Sequence, residues 1–281
     1  MAADRLNAGD RAGPYELVLD AGMGAALALA TGDSNQRYVE GTALPPTLLA
    51  TQAYRAQFAA MLELVPEPVF AAARSGVHGQ HDLLLHRPVV PGEKLCTVVE
   101  THSARAAGDN LRITFLHITT DSNAQLVAEQ WWTTVLLGTT ANSAGPGLPD
   151  YAIAEVDRRS LMAEEVVPVD LEMARRYADV SGDFSDHHFD VEAARRSGYE
   201  SPFLHGLCTM ALCARVVVEN MCGGEPSRLR RLAVRFASPA FLDRDLTVRI
   251  HPRGEGRCAF EATSGGDTAI RNGFAEVRSL R

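Results

Sequence analysis

Apolar residues run along the chain in two rhythms. Residues 206–221 are apolar nearly all round a helical wheel, and Gly223-Gly224 closes the segment. A helix apolar on every face belongs in an interior. The rhythm then changes to period two. Leu232, Val234 and Phe236 alternate with Arg231, Ala233 and Arg235, and strand-like runs follow at 246–251, 257–263 and 269–278. Such alternation predicts strands with one covered face. The same succession occurs earlier: a long helical segment over 47–64, then runs at 82–90, 95–101, 111–119 and 126–137. Consecutive strands joined by short turns favour an antiparallel sheet. A sheet wrapping one long helix, built twice, is an α+β arrangement. Within the run 126–137, Trp131 and Trp132 are predicted to point to opposite faces.

Residues 138–150 (GTTANSAGPGLPD) carry little to bury and read as a linker between an N-terminal half, 1–137, and a C-terminal half, 151–281. The halves repeat one another weakly. Thr31-Gly32-Asp33 corresponds to Ser181-Gly182-Asp183, and the turn Leu44-Pro45-Pro46-Thr47 to Ser201-Pro202-Phe203-Leu204. Each turn leads into the long helix of its half. In the second half Asp170 is predicted to cap a helix through about Ala178, with Leu171, Ala174, Tyr177 and Ala178 on one face and Ser181-Gly182 ending it. Asp190 is predicted to cap a second short helix that stops at Gly198.

Composition narrows the function by exclusion. The 281 residues are 46% hydrophobic and 22% charged, with a formal net charge of −8. This is an ordinary globular composition, long enough to bury a core without staples. The acidic balance argues against nucleic-acid binding, which is driven by lysine and arginine. No apolar run approaches the ~20 residues of a membrane span. Five cysteines form no CxxC pair, and residues 1–13 contain no apolar signal core. Reduced, mostly buried thiols and a cytoplasmic location are expected. Cys208, Cys213 and Cys222 are expected to fill one helix, and no metal site is expected from their spacing.

Candidate chemistry concentrates in residues 177–207, YADVSGDFSDHHFDVEAARRSGYESPFLHGL. A short loop between two helices can bring Asp183 and His188 onto one surface, and a carboxylate beside an imidazole can move protons at neutral pH. His205-Gly206 opens the buried helix. Free backbone N–H groups there suit a thioester oxygen that gains negative charge, and glycine admits close approach. Each residue has an ordinary alternative: a loop carboxylate, a loop histidine, a helix cap. Spacing alone does not choose between His187 and His188.

Tyr177-Ala178, Ser181-Gly182-Asp183, Ser185-Asp186-His187-His188, Asp190 and Pro202-Phe203-Leu204-His205-Gly206-Leu207 together resemble the hydratase-2 motif of the MaoC-like (R)-specific enoyl-thioester hydratases and dehydratases. The resemblance implies a hotdog fold, here a double hotdog in which one chain mimics a dimer. It places Asp183 and His188, not His187, at the catalytic dyad positions, and Gly206 at the backbone oxyanion position. Ser185-Asp186 replaces the family's Asn-Pro, and the Asp186 charge is expected to favour a protonated His188. In the first half Asp33 is kept, Tyr38 stands where His188 would, and Pro45-Pro46 replaces His205-Gly206. That half is expected to shape the acyl pocket without catalysing.

The implied activity is reversible hydration of trans-2-enoyl thioesters, or dehydration of (3R)-hydroxyacyl thioesters. The partner is acyl-CoA or acyl-carrier protein, and the thioester carrier is the only cofactor implied. Neither nucleic acid nor membrane is expected as a partner, and a homodimer stays open. Ser185 and His205 are candidate substrate contacts. Arg231 and Arg235, with Arg228 and Arg230 nearby, are candidate ligands for the carrier's phosphates. The rival readings are a non-catalytic acyl- or carrier-binding hotdog, and an enzyme using the same pocket for conjugate addition, cyclisation or thioester hydrolysis.

Overall fold

The computed structural model describes residues 5–279. Its strands are β1 (Arg11–Leu19), β2 (Ser75–Leu85), β3 (Glu93–Ala107), β4 (Asn110–Asp121), β5 (Leu126–Leu137), β6 (Ala163–Val167), β7 (Leu229–Phe236), β8 (Leu246–Pro252), β9 (Arg257–Ser264) and β10 (Asp267–Val277). They join in one ten-stranded antiparallel sheet in the order β1-β3-β4-β5-β2-β7-β10-β9-β8-β6. Each half supplies five strands, and the halves meet where β2 pairs with β7, from Gln80↔Arg235 to Leu84↔Arg231.

The helices are α1 (Ala21–Ala30), α2 (Gln36–Val39), α3 (Leu48–Leu64), α4 (Glu67–Ala72), α5 (Glu155–Arg158), α6 (Met173–Ser181), α7 (Val191–Arg196) and α8 (Gly206–Cys222). The two long ones fall where the apolar pattern places them. α3 lies against β1 and β3, and α8 against β6, β7, β8 and β10. Helix α8 buries Leu207, Cys208, Met210, Leu212, Cys213, Val216 and Val217. The cysteines Cys208, Cys213, Cys222 and Cys258 are buried free thiols, and Cys96 is partly buried. No helix among the described residues is long and apolar enough to cross a membrane.

Three expectations need correction. Four strands per half is one too few, because β1 and β6 carry weak signals. Both are sheet edges, where charge and proline are tolerated: β1 contains Pro14, and β6 is the short Ala163-Glu164-Glu165-Val166-Val167. The run placed at 82–90 begins earlier, at Ser75, and stops at Leu85. Its first residues include Gly76, His78, Gly79 and His81, which carry no apolar alternation. Leu171 is exposed, since α6 starts at Met173 and Met173 takes the buried position. Asp170 still supports the helix entrance, accepting from the Glu172 N–H at 2.9 Å.

Candidate active site

Gly182 ends α6 in the left-handed region, φ +76°, a conformation that favours glycine. The chain there reverses and presents Asp183. Its carboxylate accepts from the Ser185 N–H at 3.2 Å and from the Ser185 hydroxyl at 2.6 Å, which fixes its rotamer. A 3₁₀ turn over Asp186–His188 then brings the His188 ring inward. Asp190 accepts from the Ala193 N–H at 2.7 Å and so caps α7, as the sequence implied.

His188 is 5% exposed. Its Nδ1–H donates to the Phe203 carbonyl at 2.8 Å. A carbonyl can only accept, so this bond fixes the tautomer and leaves Nε2 as a bare base. The His205 ring stacks on His188 with centroids 3.7 Å apart, and its Nε2–H donates to the Asp183 carbonyl at 2.9 Å. Ligand-capable atoms of Asp183, His188 and His205 all lie within 4.8 Å of one another. Spacing along the chain pointed to no metal site; the fold brings these three groups close enough to hold an ion.

Burial pushes the His188 imidazole far down, to about 2, and the neighbouring imidazoles of His205 and His187 push the same way. This corrects the expectation that Asp186 would favour a protonated His188. The Asp186 charge acts on His187, and even there burial outweighs it. His188 is therefore neutral at physiological pH.

Gly206 begins α8, so its N–H is one of the helix's free donors. A Cβ there would come within 3.3 Å of the Phe236 ring, tight for any side chain. His205, Gly206, His188 and Asp183 thus gather at one end of α8, as the spacing allowed.

The first half also supports this site, which the motif did not reveal. From α3, Gln52 donates to the Val180 carbonyl at 2.6 Å, and the Tyr177 hydroxyl donates to Thr51 at 3.1 Å. Tyr54 lies near Asp183, and burial together with that carboxylate's charge raises its hydroxyl above the usual range. The Arg55 guanidinium lies 2.9 Å from where a Gly182 Cβ would stand. Local spacing could not show these residues, because their pairing with α6 depends on how the two long helices pack.

The other candidates fare differently. Ser185 spends its hydroxyl on Asp183 and acts there as a positioning group. Arg231 forms two hydrogen bonds with Asp82, at 2.8 and 2.7 Å, and lies over the rings of Trp131 and Tyr151. Asp82 is fully buried, so this guanidinium neutralises an interior charge and is not free for a phosphate. Arg230 pairs with Glu276, and Arg228 donates to the Cys222 carbonyl. Arg235 stands across from Arg271 on β10 and forms no ion pair among the described residues. Trp131 and Trp132 do face opposite ways, one toward Arg231 and the other into the interior against His78.

Comparison with known proteins agrees with this geometry. Residues 154–269 match the family model for the MaoC like domain. The chain is 30% identical over 215 residues to 3-hydroxyacyl-thioester dehydratase Y of Mycobacterium tuberculosis, covering 71% of this chain and 72% of that protein. It is 33% identical over 100 residues to the mouse peroxisomal multifunctional enzyme type 2, covering 35% of this chain and 14% of that protein. In fold it resembles a MaoC-like dehydratase from Phytophthora capsici, with a TM-score of 0.82 over 98% of this chain and 97% of that one, at 21% identity. It also resembles a Mycobacterium tuberculosis protein described as a double hotdog, with a TM-score of 0.62 over 97% and 96% of the two chains, at 14% identity. With a ten-stranded sheet wrapping two long helices and a relative matched across most of its length, this chain belongs to the MaoC-like dehydratase family and is a double-hotdog hydro-lyase.

Proposed function

We propose that the protein interconverts trans-2-enoyl and (3R)-hydroxyacyl thioesters, using Asp183 and His188 on water and the Gly206 N–H on the thioester oxygen. The observation that carries this is the tautomer of His188. With Nδ1–H held by Phe203, Nε2 keeps a bare lone pair, and a ring nitrogen of His188 lies within 4.8 Å of an Asp183 carboxylate oxygen near the positive end of α8.

In hydration, Nε2 takes a proton from water as the water oxygen bonds to C3. The double-bond electrons move toward the thioester carbonyl, and its oxygen gains charge against the Gly206 N–H. The proton held on the imidazole then passes to C2, which restores the carbonyl and the neutral histidine. Dehydration is the reverse. Asp183 orients the water and stabilises the transient imidazolium. Ser185 holds that carboxylate in place. The carrier of the thioester, coenzyme A or a phosphopantetheinyl protein, is the only cofactor this chemistry requires.

The test is loss of enoyl absorbance on mixing crotonyl-CoA or longer enoyl-CoAs with the protein, with acyl-carrier-protein thioesters in parallel. Hydration is expected, and it is expected to persist after exhaustive chelation. Binding without turnover would favour a non-catalytic acyl-binding protein, and release of free thiol would favour hydrolysis. Loss of activity on chelation, restored by a divalent cation, would assign Asp183, His188 and His205 to a metal.

A further inference from the structure

Past the dyad, the interior of the first half contains polar side chains where a plain acyl chain would call for apolar ones. His81 and His117 are fully buried, and Gln130 is 1% exposed. With His78 they surround the indole of Trp132, the His78 ring stacked at 4.1 Å and the His81 ring edge-on at 5.4 Å.

Protein partners satisfy only part of this cluster. His81 Nε2 bonds to Gln130 Oε1 at 3.1 Å, and His117 Nε2 to Gln57 Oε1 at 2.8 Å. An amide oxygen only accepts, so both rings donate through Nε2 and their Nδ1 atoms keep bare lone pairs. His78 Nε2, His81 Nδ1, His117 Nδ1 and the Gln130 amide nitrogen are buried without a partner. Each such atom carries its full desolvation cost if nothing meets it. Four in one cluster point to an occupant.

The cluster adjoins the reacting groups at two places. The Phe236 ring touches the Gly206 position and lies 4.7 Å from His78. On α3, Gln57 follows Tyr54 by one helical turn, and Tyr54 faces Asp183.

We propose that the preferred acyl chain carries a hydroxyl group beyond C3, which accepts from the Gln130 amide and donates to one of the bare nitrogens of His78, His81 or His117. The inference rests on the enoyl-thioester reading and specifies its substrate class. Bare imidazole nitrogens need a donor, and the Gln130 amide needs an acceptor; a hydroxyl is both, and a methylene chain is neither. A carboxylate does not fit, because burial drives His81 down to about 4 and His117 to about 3, and neutral rings cannot balance an anion.

The test uses a series of trans-2-decenoyl-CoA thioesters with one hydroxyl stepped along the distal chain, against the unsubstituted thioester. At one position at least, kcat/KM is expected to rise about tenfold over the plain chain, the worth of a good hydrogen bond to a buried group. In Gln130→Leu and, separately, His117→Phe, the ratio of hydroxylated to plain substrate is expected to fall toward unity. The ratio in the wild-type protein does not depend on either variant folding. Equal or poorer turnover of every hydroxylated chain would overturn the inference, leave the cluster to buried water, and leave the enoyl-thioester reading standing. A preference that survives both variants would also overturn it. Failure to hydrate any enoyl-CoA, crotonyl-CoA included, would sink the underlying reading and this inference with it.

Discussion

The two halves carry the same turn in two chemical states. Thr31-Gly32-Asp33 and Ser181-Gly182-Asp183 both pass through a left-handed glycine, φ +62° and +76°. Both aspartates accept the N–H of the residue two further on, Asn35 or Ser185. Each turn is backed by an arginine from the other half's long helix: Arg215 of α8 donates to the Gly32 carbonyl, and Arg55 of α3 lies over Gly182. The supporting frame is duplicated. The reactive groups are not. Tyr38, 1% exposed, occupies the place of His188, and burial holds its hydroxyl protonated. Pro45-Pro46 precedes α3 where His205-Gly206 opens α8, so the close approach that Gly206 permits has no counterpart. A cavity of about 220 Å³ does open at the Pro45-Pro46 segment, lined by Leu44, Pro45, Leu49, Leu85, Pro88 and Pro91. It contains no imidazole, so size does not mark the reactive half. The comparison shows that one turn geometry can present two different chemistries.

The strongest way to break this contrast is to remove the two aspartates in turn. Asp183→Asn or His188→Ala is expected to lower enoyl-CoA hydration by about 10²–10⁴-fold, the usual worth of a positioned acid–base group. Asp33→Asn is expected to leave turnover within about twofold, since no base stands beside it. Equal losses in both halves, read from steady-state kinetics on folded protein, would abolish the distinction.

Acid should next test the buried imidazoles of both halves, three in the first and two in the second. His78, His81, His117, His188 and His205 all have depressed pKa values through burial. In the unfolded chain they titrate near 6.5. Below that pH the unfolded state binds more protons than the folded one, so stability is full above 6.5 and falls as pH drops. Each histidine adds up to about 1.4 kcal/mol per pH unit. Thermal unfolding between neutral pH and about pH 5 is expected to show a steadily falling Tm. A flat profile would mean that these rings are already charged in the fold.

The pH dependence of catalysis sharpens the same point. With His188 held to about 2, kcat/KM for hydration is expected to stay level as pH falls through 6.5, for as long as the protein remains folded. An acid limb at or above 6.5 would restore the protonating influence first expected of Asp186. The smallest effect concerns the contribution of α3. Tyr54→Phe removes a hydroxyl that lies near the Asp183 carboxylate, worth about 1 kcal/mol at most, and kcat is expected to fall no more than roughly fivefold.

The site was legible in the sequence to the extent that it is local. Gly182, Asp183, His188, Asp190 and Gly206 lie within 25 residues, and helix-end chemistry fixes how such a segment turns. The period-two runs and the two apolar helices likewise carried the fold class, because burial of one face is written into residue order. Edge strands were lost because their exposed faces tolerate Pro14, Glu164 and Glu165. Arg231 was misjudged because its partner Asp82 lies 149 positions away in sequence.

The sequence alone determined that this chain repeats one unit of sheet and long helix, and that its second copy alone retains an aspartate, a histidine and a helix-opening glycine at workable spacing. Tertiary structure decided what those residues are. Phe203 selects the histidine tautomer, burial keeps the imidazole neutral against the charge of Asp186, and α3 brings Tyr54 and Arg55 near the Asp183 turn. Local spacing can encode which groups meet within a turn, whereas desolvation and cross-half packing depend on everything folded around them.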